Sequence, residues 1–498
     1  MSTATLDVNA WAKSRVKPEQ VTRYLQPGGR DYVDDAAIAA AITGAKAPDG
    51  ARLQALLDKS LAIQNLALGE VAELMQVSDP AQLERMAAAA LKVKQTVYDK
   101  RIVTFAPLYL GNACVNTCRY CGFRSDNDQI TRRVLDEAEI KAEVAVLAGR
   151  IGHKRLVAVY GEHPSTDADY IAKSVAAIYS VQVPVNGHLS GIRRVNVNAA
   201  PMSIEDLKTV HAAGLGTFQV FQETYQRDAY AAMHPVGPKS DFRWRLYAMH
   251  RAMEAGIEDV GLGVLYGLTD WRFEVLATIL HANDLERQFG LGPHTVSFPR
   301  LEPAHNTPLA SRPPHPVDDA EFLRIVMVMR LALPYVGLIV TAREGAEIRR
   351  QSFKLGITQT DASSSIGVGA YQDGGHAQAS ERQQFMLGDE RPLEDVVTEL
   401  VKAGSLTSFC TAGYRCGRTG KCIMDLLRSG QEGKFCKLNA ALTFKEWIDD
   451  FGGPQVKPLG EALLKEEVAE IKERLPHMYK KFQEHYERTI NGERDLYF

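Results

Sequence analysis

Cys114, Cys118 and Cys121 lie on one short stretch, Cys114-Val115-Asn116-Thr117-Cys118-Arg119-Tyr120-Cys121. Thiolates are soft ligands that suit iron–sulfur clusters and zinc. Three of them on a single loop cannot complete a four-coordinate structural zinc site. On a cubane of iron and sulfide they would leave one iron without a protein ligand, open to an outside chelator. A second group, Cys410, Cys416, Cys422 and Cys436, follows far along the chain, and no cysteine lies between the two groups. An odd total of seven, clustered in this way, argues against a disulfide framework and for metal. Zinc held by all four later cysteines is a competing reading of the second group, although their spacings match no common zinc motif.

Other polar residues are placed where they could act with the first group. Gly161-Glu162 ends an apolar run. Asn196 and Asn198 alternate on another run, so both face one side. Their bland reading is a pair of satisfied interior amides. Glu223, in Gln222-Glu223-Thr224-Tyr225, ends a further run and is a candidate catalytic contact. Arg243 and Arg245 follow; either could pair with a carboxylate, or be a solvated helix charge. Arg343, in Thr341-Ala342-Arg343-Glu344, offers a fixed fork for a substrate carboxylate, or an ion pair with Glu344. His294 is a candidate pocket residue or metal ligand, or a satisfied structural histidine.

These residues need elements to hold them. Residues 1–98 read as a helical N-terminal extension, with Asp49 placed to cap one of its helices. From about residue 100 the texture changes to short β-branched runs alternating with amphipathic segments. The runs are Ile102–Leu110, Leu156–Tyr160, Ile192–Asn198, Thr217–Gln222, Asp259–Tyr266, Thr295–Pro299, Gly337–Thr341 and Ile357–Asp361. The segments between them include Glu137–Ala148, Ile204–Ala213, Trp244–Ala255, Phe273–Gln288 and Asp319–Leu333. Eight strands alternating with helices predict an α/β fold, a (β/α)8 TIM-type barrel over 99–375, with a doubly wound open sheet as the alternative. The first cysteine group directly follows the first strand, at the carboxyl end where barrel enzymes keep their chemistry. Residues 376–498 form a C-terminal, largely helical region around the second cysteine group. A loop containing Gly374-Gly375 precedes it.

Composition narrows the classes. The chain has 498 residues, 45% hydrophobic and 24% charged, as in ordinary globular proteins. A formal net charge of -3 gives no reason to expect nucleic acid as a partner. No apolar run approaches the roughly 20 residues of a membrane span, and Met1–Asp7 lacks the basic and apolar parts of a secretory signal. The expected location is the cytoplasm, where thiols stay reduced.

The Cys-x3-Cys-x2-Cys spacing, with the aromatic Tyr120 before its last cysteine, resembles the motif of the radical S-adenosylmethionine (SAM) superfamily. That resemblance implies a 4Fe–4S cluster on Cys114, Cys118 and Cys121. Its open iron binds SAM, and on reduction the site yields a 5′-deoxyadenosyl radical. Gly161-Glu162 resembles the superfamily's glycine–glutamate element that meets the SAM amino group; an ordinary strand-to-helix turn is the alternative. Tyr120, Asn196, Asn198, Arg243 and Arg245 complete the expected cofactor-binding set, with Glu223, His294 and Arg343 as the catalytic candidates. Arg193-Arg194-Val195-Asn196-Val197-Asn198, Val220–Tyr225, Gly237–Phe242 and Gly261–Leu268 further resemble the aromatic amino-acid lyase branch of that superfamily. Within it the chain is most similar to HydG-type hydrogenase maturases, with ThiH-type thiazole-synthesis lyases as the next relatives.

The resemblance implies a lyase that cleaves the Cα–Cβ bond of an amino acid, L-tyrosine, to p-cresol and dehydroglycine. It also implies a low-potential electron donor such as flavodoxin or ferredoxin. In the maturases a second iron–sulfur cluster, on Cys-x2-Cys-x22-Cys, carries dehydroglycine on to CO and cyanide. Here Cys410 and Cys436 match the outer positions, but the middle one is Gly413, so Cys416 or Cys422 would have to supply a ligand. Two further departures are Ser365, where the maturases have arginine, and Gln226, where histidine is expected. The alternatives are a radical SAM lyase or mutase on another substrate without CO or cyanide formation, and a non-catalytic iron–sulfur carrier.

Overall fold

The computed structural model describes residues 7–373, 379–429 and 432–498. Most of the N-terminal segment judged against a secretory signal, and the Gly374-Gly375 pair, lie outside them. Each of the eight apolar runs forms a strand: β1 (Ile102–Gly111), β2 (Arg155–Tyr160), β3 (Arg194–Asn198), β4 (Phe218–Gln219), β5 (Val260–Gly263), β6 (Thr295–Ser297), β7 (Gly337–Val340) and β8 (Gln359–Asp361). They pair in parallel in chain order, and β8 pairs back on β1 through Val103↔Gln359 to Phe105↔Asp361. The sheet is a closed (β/α)8 barrel, and the open-sheet alternative falls.

β1, β2 and β7 are largely apolar because helices cover the outside while layered side chains fill the inside, whereas β3 and β8 bury polar residues such as Arg194, Asn196, Gln359 and Asp361 within the barrel. Six come out shorter than their apolar runs, β4 proportionally most of all. β4 stops at Gln219, and further on Glu223, at φ +72°, makes an isolated parallel bridge to Val264. The run Trp244–Ala255 is two helices, Phe242–Leu246 and Ala248–Glu254, separated at Tyr247.

The N-terminal helices form where their caps predict. Asp49 accepts from the Arg52 amide and starts Gly50–Leu61, a contact worth about 1 kcal/mol. They pack on the outer helices of the barrel: the Ser60 hydroxyl donates to the Leu331 carbonyl at 2.8 Å, and buried Lys94 donates to the Phe353 carbonyl at 2.8 Å. Burial pushes the Lys94 amine down to about 7.

The C-terminal region closes the other end of the barrel. A ninth strand, β9 (Thr407–Ser408), pairs with the start of β1. The helices Gly420–Arg428, Glu432–Phe451, Val456–Arg474 and Pro476–Ile490 follow. Glu446 ties this region to the barrel through Arg193, at 2.5 and 3.1 Å. Among the described residues no helix is long and apolar enough to cross a membrane.

Candidate active site at the barrel mouth

A cavity of about 210 Å³ opens at the carboxyl end of the barrel, and segments at or beyond the ends of all eight strands contribute to it. Cys114, Cys118 and Cys121 follow β1, Gly161 and Glu162 follow β2, and Asn198 ends β3. Glu223 follows β4, Leu265 follows β5, Pro299 follows β6, Arg343 follows β7, and Asp361 ends β8. Residues scattered over 250 positions of sequence thus reach one volume because a barrel collects its strand ends on one ring.

The three thiols are drawn in tightly. Burial pushes the Cys118 thiol up to about 12, with Lys239 opposing, and burial raises Cys114 as well. Thiolates so placed need nearby cations, which a cluster's iron supplies. The Asn116 amide sits between the elements: its Nδ2 donates to Glu162 Oε2 at 2.6 Å and reaches Cys114 Sγ at 3.6 Å. Its Oδ1 accepts from the Lys239 amide at 3.0 Å. Two glycines permit this packing. A Cβ at Gly161 would lie 2.2 Å from the Ala113 carbonyl oxygen, and one at Gly237, where φ is +97°, would lie 2.2 Å from Asn116 Oδ1.

Glu162 is buried, and among the described residues its Oε1 has no hydrogen-bond partner. An orphaned carboxylate oxygen beside three thiols suits an ammonium group that arrives with a ligand. Burial raises its pKa, and Asn116 opposes this. Glu223 is the opposite case. Burial favours its neutral form, but Lys239 at 2.7 Å and Arg245 at 3.1 Å outweigh it and hold the carboxyl at about 2. Arg245 also donates to the Phe221 carbonyl at 2.6 Å, so its fork is fixed.

Tyr120 borders the cavity and donates through its hydroxyl to His234 Nε2 at 2.8 Å. That direction follows because His234 Nδ1 faces the Tyr230 carbonyl at 2.8 Å, which can only accept. Arg343 lines the cavity with its guanidinium over the Phe385 ring, 3.2 Å from the centroid. Among the described residues it makes no hydrogen bond or ion pair, and burial lowers its pKa. Glu344 pairs with Arg300 instead, so the ion-pair alternative for Arg343 does not hold.

Three expected site residues lie elsewhere. Arg243 projects outward and pairs with Asp31 at 3.1 Å. Asn196 is two residues below Asn198 and off the cavity; its Oδ1 accepts from Arg194 Nε at 3.1 Å and the Thr217 amide at 3.0 Å. His294 precedes β6 at the opposite end of the barrel and lines a separate cavity of about 40 Å³. Burial and three arginines push it down to about 3, so it stands neutral beside Asp259 at 3.6 Å. Ser365 and Gln226 also miss the mouth cavity. The Ser365 amide donates to the Tyr371 hydroxyl, and Gln226 caps Arg227–Met233 by accepting from the Ala229 amide.

The second cysteine group is divided. Cys410 and Cys436 line the lower cavity with His294, Gly413 and Tyr414. Cys416 and Cys422 are exposed.

Sequence reasoning missed Asn116, Lys239 and Gln384 as site residues. Gln384 donates to Cys121 Sγ at 3.5 Å and accepts from the Tyr109 hydroxyl at 3.0 Å. Asn116 carried a signal, lying between two ligand cysteines. Gln384 carried none, since it comes from a loop far along the chain.

The radical SAM superfamily model matches residues 108–280, and the Biotin and Thiamin Synthesis associated domain matches 297–405. The 2-iminoacetate synthase of Escherichia coli (strain K12) is 30% identical over 354 residues, covering 70% of this chain and 88% of that protein. The chain belongs to the radical SAM superfamily, in the group of HydG and 2-iminoacetate synthase. A crystal structure of HydG, a maturase of the FeFe-hydrogenase, superposes with a TM-score of 0.88 at 42% identity, covering 94% of this chain and 100% of that one. The HydG structure from Carboxydothermus hydrogenoformans gives 0.76 at 33% identity, covering 95% and 99%. For this radical SAM enzyme the family implies a 4Fe–4S cluster and SAM, and the thiols, the orphaned Glu162 oxygen and the glycine cradle fit both.

Proposed function

We propose that this enzyme is an amino-acid lyase that cleaves the Cα–Cβ bond of L-tyrosine, giving p-cresol and dehydroglycine. The observation that carries it is Arg343, a cationic fork with no acceptor among the described residues, on the wall of the cavity that also holds the three cysteines. When bound and reduced, the cluster and SAM supply a 5′-deoxyadenosyl radical able to take a hydrogen from an unactivated position.

The chain's own groups do the rest. Cys114, Cys118 and Cys121 would hold the cluster, and Glu162 would receive the SAM amino group. Arg343 would grip the substrate carboxylate, which fixes the amine relative to SAM. Phe105, Tyr109, Phe221 and Phe385 give the cavity an aromatic wall against which a phenol ring packs. Glu223, held ionised by Lys239 and Arg245, keeps two cations fixed at the rim. An electron donor such as flavodoxin or ferredoxin would serve the mouth. A second iron–sulfur cluster on the later cysteines would extend the reaction to CO and cyanide; the placement of those thiols speaks against it.

The test is anaerobic incubation of reduced, reconstituted enzyme with SAM and tyrosine. p-Cresol should appear in step with 5′-deoxyadenosine. 5′-Deoxyadenosine without p-cresol would reject tyrosine as the substrate and point to another amino acid.

A further inference from the structure

We infer that the C-terminal cysteine group of this chain holds no iron–sulfur cluster, and that the reaction ends with the glycine imine leaving through the mouth. The second half rests on the lyase reading; the first stands on the thiol positions alone.

A cluster needs thiolates facing one shared volume. Here two of four do. Cys410 and Cys436 border the lower cavity, and the third wall position near them is Gly413, which has no side chain to offer. Cys422 lies on helix Gly420–Arg428, whose buried face is Ile423, Met424 and Leu427. Positions one and two residues from Cys422 point inward, so Cys422 points out. Cys416 follows helix Ala412–Arg415, is exposed, and faces the Phe498 carbonyl at 3.5 Å.

The divided arrangement is fastened in place. The Phe498 amide donates to Asn439 Oδ1 at 2.8 Å, and Arg418 donates to the Phe498 carbonyl at 2.6 Å. Arg415 pairs with Asp495 at 2.6 Å and lies over the Tyr497 ring. Cys416 lies between Arg415 and Arg418, the two residues that anchor this segment to the C-terminal tail. Tyr414 also takes up part of the barrel floor: it lies against the Arg194 guanidinium, its hydroxyl is 3.4 Å from the Thr217 hydroxyl, and His294 meets its ring edge-on.

Without a second metal centre, dehydroglycine keeps its C=N bond until a nucleophile adds. With water, HN=CH–COO⁻ + H2O + H⁺ gives OHC–COO⁻ + NH4⁺. The C=N bond breaks, a C=O bond forms, and nothing is oxidised or reduced. The reaction class that consumes this product is therefore nucleophilic addition to an imine, by water or by a following enzyme.

Iron and sulfide counts on the anaerobically reconstituted full chain test the cluster. About four irons per chain are expected in the natural protein and near none in C114A/C118A/C121A. The variant C410A/C436A should keep its iron unchanged. About four irons retained by the triple variant, or a loss of about half by the double variant, would overturn the inference. With tyrosine, glyoxylate should match p-cresol one to one, and cyanide should be absent; cyanide at levels comparable to p-cresol would overturn it too. A complete lack of p-cresol would reject the lyase reading, and the iron counts would still decide the cluster.

Discussion

The two cysteine groups of this chain occupy opposite ends of one barrel and meet different fates. At the mouth, three thiols on a single loop enter one cavity together with an orphaned carboxylate oxygen and an uncommitted guanidinium. At the floor, four thiols spread over two helices and a loop split into an inward pair and an outward pair. Cysteine count favours the floor, but convergence favours the mouth. Ligand spacing predicts a metal site when the backbone between ligands is too short to separate them. With a helix between them, burial of the apolar face decides where each thiol points.

Experiments can break that contrast, beginning with the largest effect. Cys118→Ala should abolish the cubane chromophore and reduce 5′-deoxyadenosine to background. Any surviving SAM cleavage would remove the mouth from the mechanism. Arg343→Ala loses a charged, forked contact of about 3 kcal/mol, so kcat/KM for p-cresol should fall ~100-fold. SAM cleavage without tyrosine should be nearly unchanged, and Arg343→Lys should recover part of the loss; equal loss of both activities would mean Arg343 serves SAM.

Glu162→Gln should raise KM for SAM ~10-fold, about 1.4 kcal/mol from the loss of one charge-assisted hydrogen bond, at constant iron content. Gly413→Cys sharpens the contrast from the other side. A Cβ there meets nothing closer than the Arg418 carbonyl oxygen at 3.5 Å. The variant should fold and gain a third inward thiol, with iron rising about twofold, from about four to about eight per chain.

The smallest effect is on acid stability. Glu223 has its pKa depressed to about 2 in the folded protein, because Lys239 and Arg245 outweigh burial. A depressed carboxyl contributes stability that is present above its unfolded value, near 4.3, and is lost as pH falls through the folded value. Glu223→Gln should therefore flatten the acid-unfolding limb between pH ~4 and ~2, moving the midpoint by about half a unit. An unchanged limb would show that the pair is not coupled to folding.

The barrel strands were legible because each is an apolar run between helical stretches, and the buried interior of a parallel sheet demands that pattern. The cysteine loop was legible for the same local reason. Placement of single polar residues was not. Arg243 and Arg245 are two positions apart on one short helix, yet one pairs with Asp31 outside and the other with Glu223 inside. Asn196 and Asn198 share a face of β3, but only the one nearer the carboxyl end reaches the cavity. His294 does line a pocket, but the direction of β6 puts that pocket at the floor and not at the mouth.

What the sequence determined by itself is the chemistry of the loop after β1 and the alternation that closes the barrel, because both depend on neighbours a few residues apart. What only the tertiary structure decided is which distant groups share a volume with those thiols. Glu162, Arg343 and Gln384 join them because strand ends and a returning loop meet on one ring. Cys422 does not join Cys410, because burying Ile423, Met424 and Leu427 turns its side of the helix outward, and Cys416 faces the Phe498 carbonyl instead. Side-chain convergence across a fold is fixed by packing, and packing is a property of the whole chain.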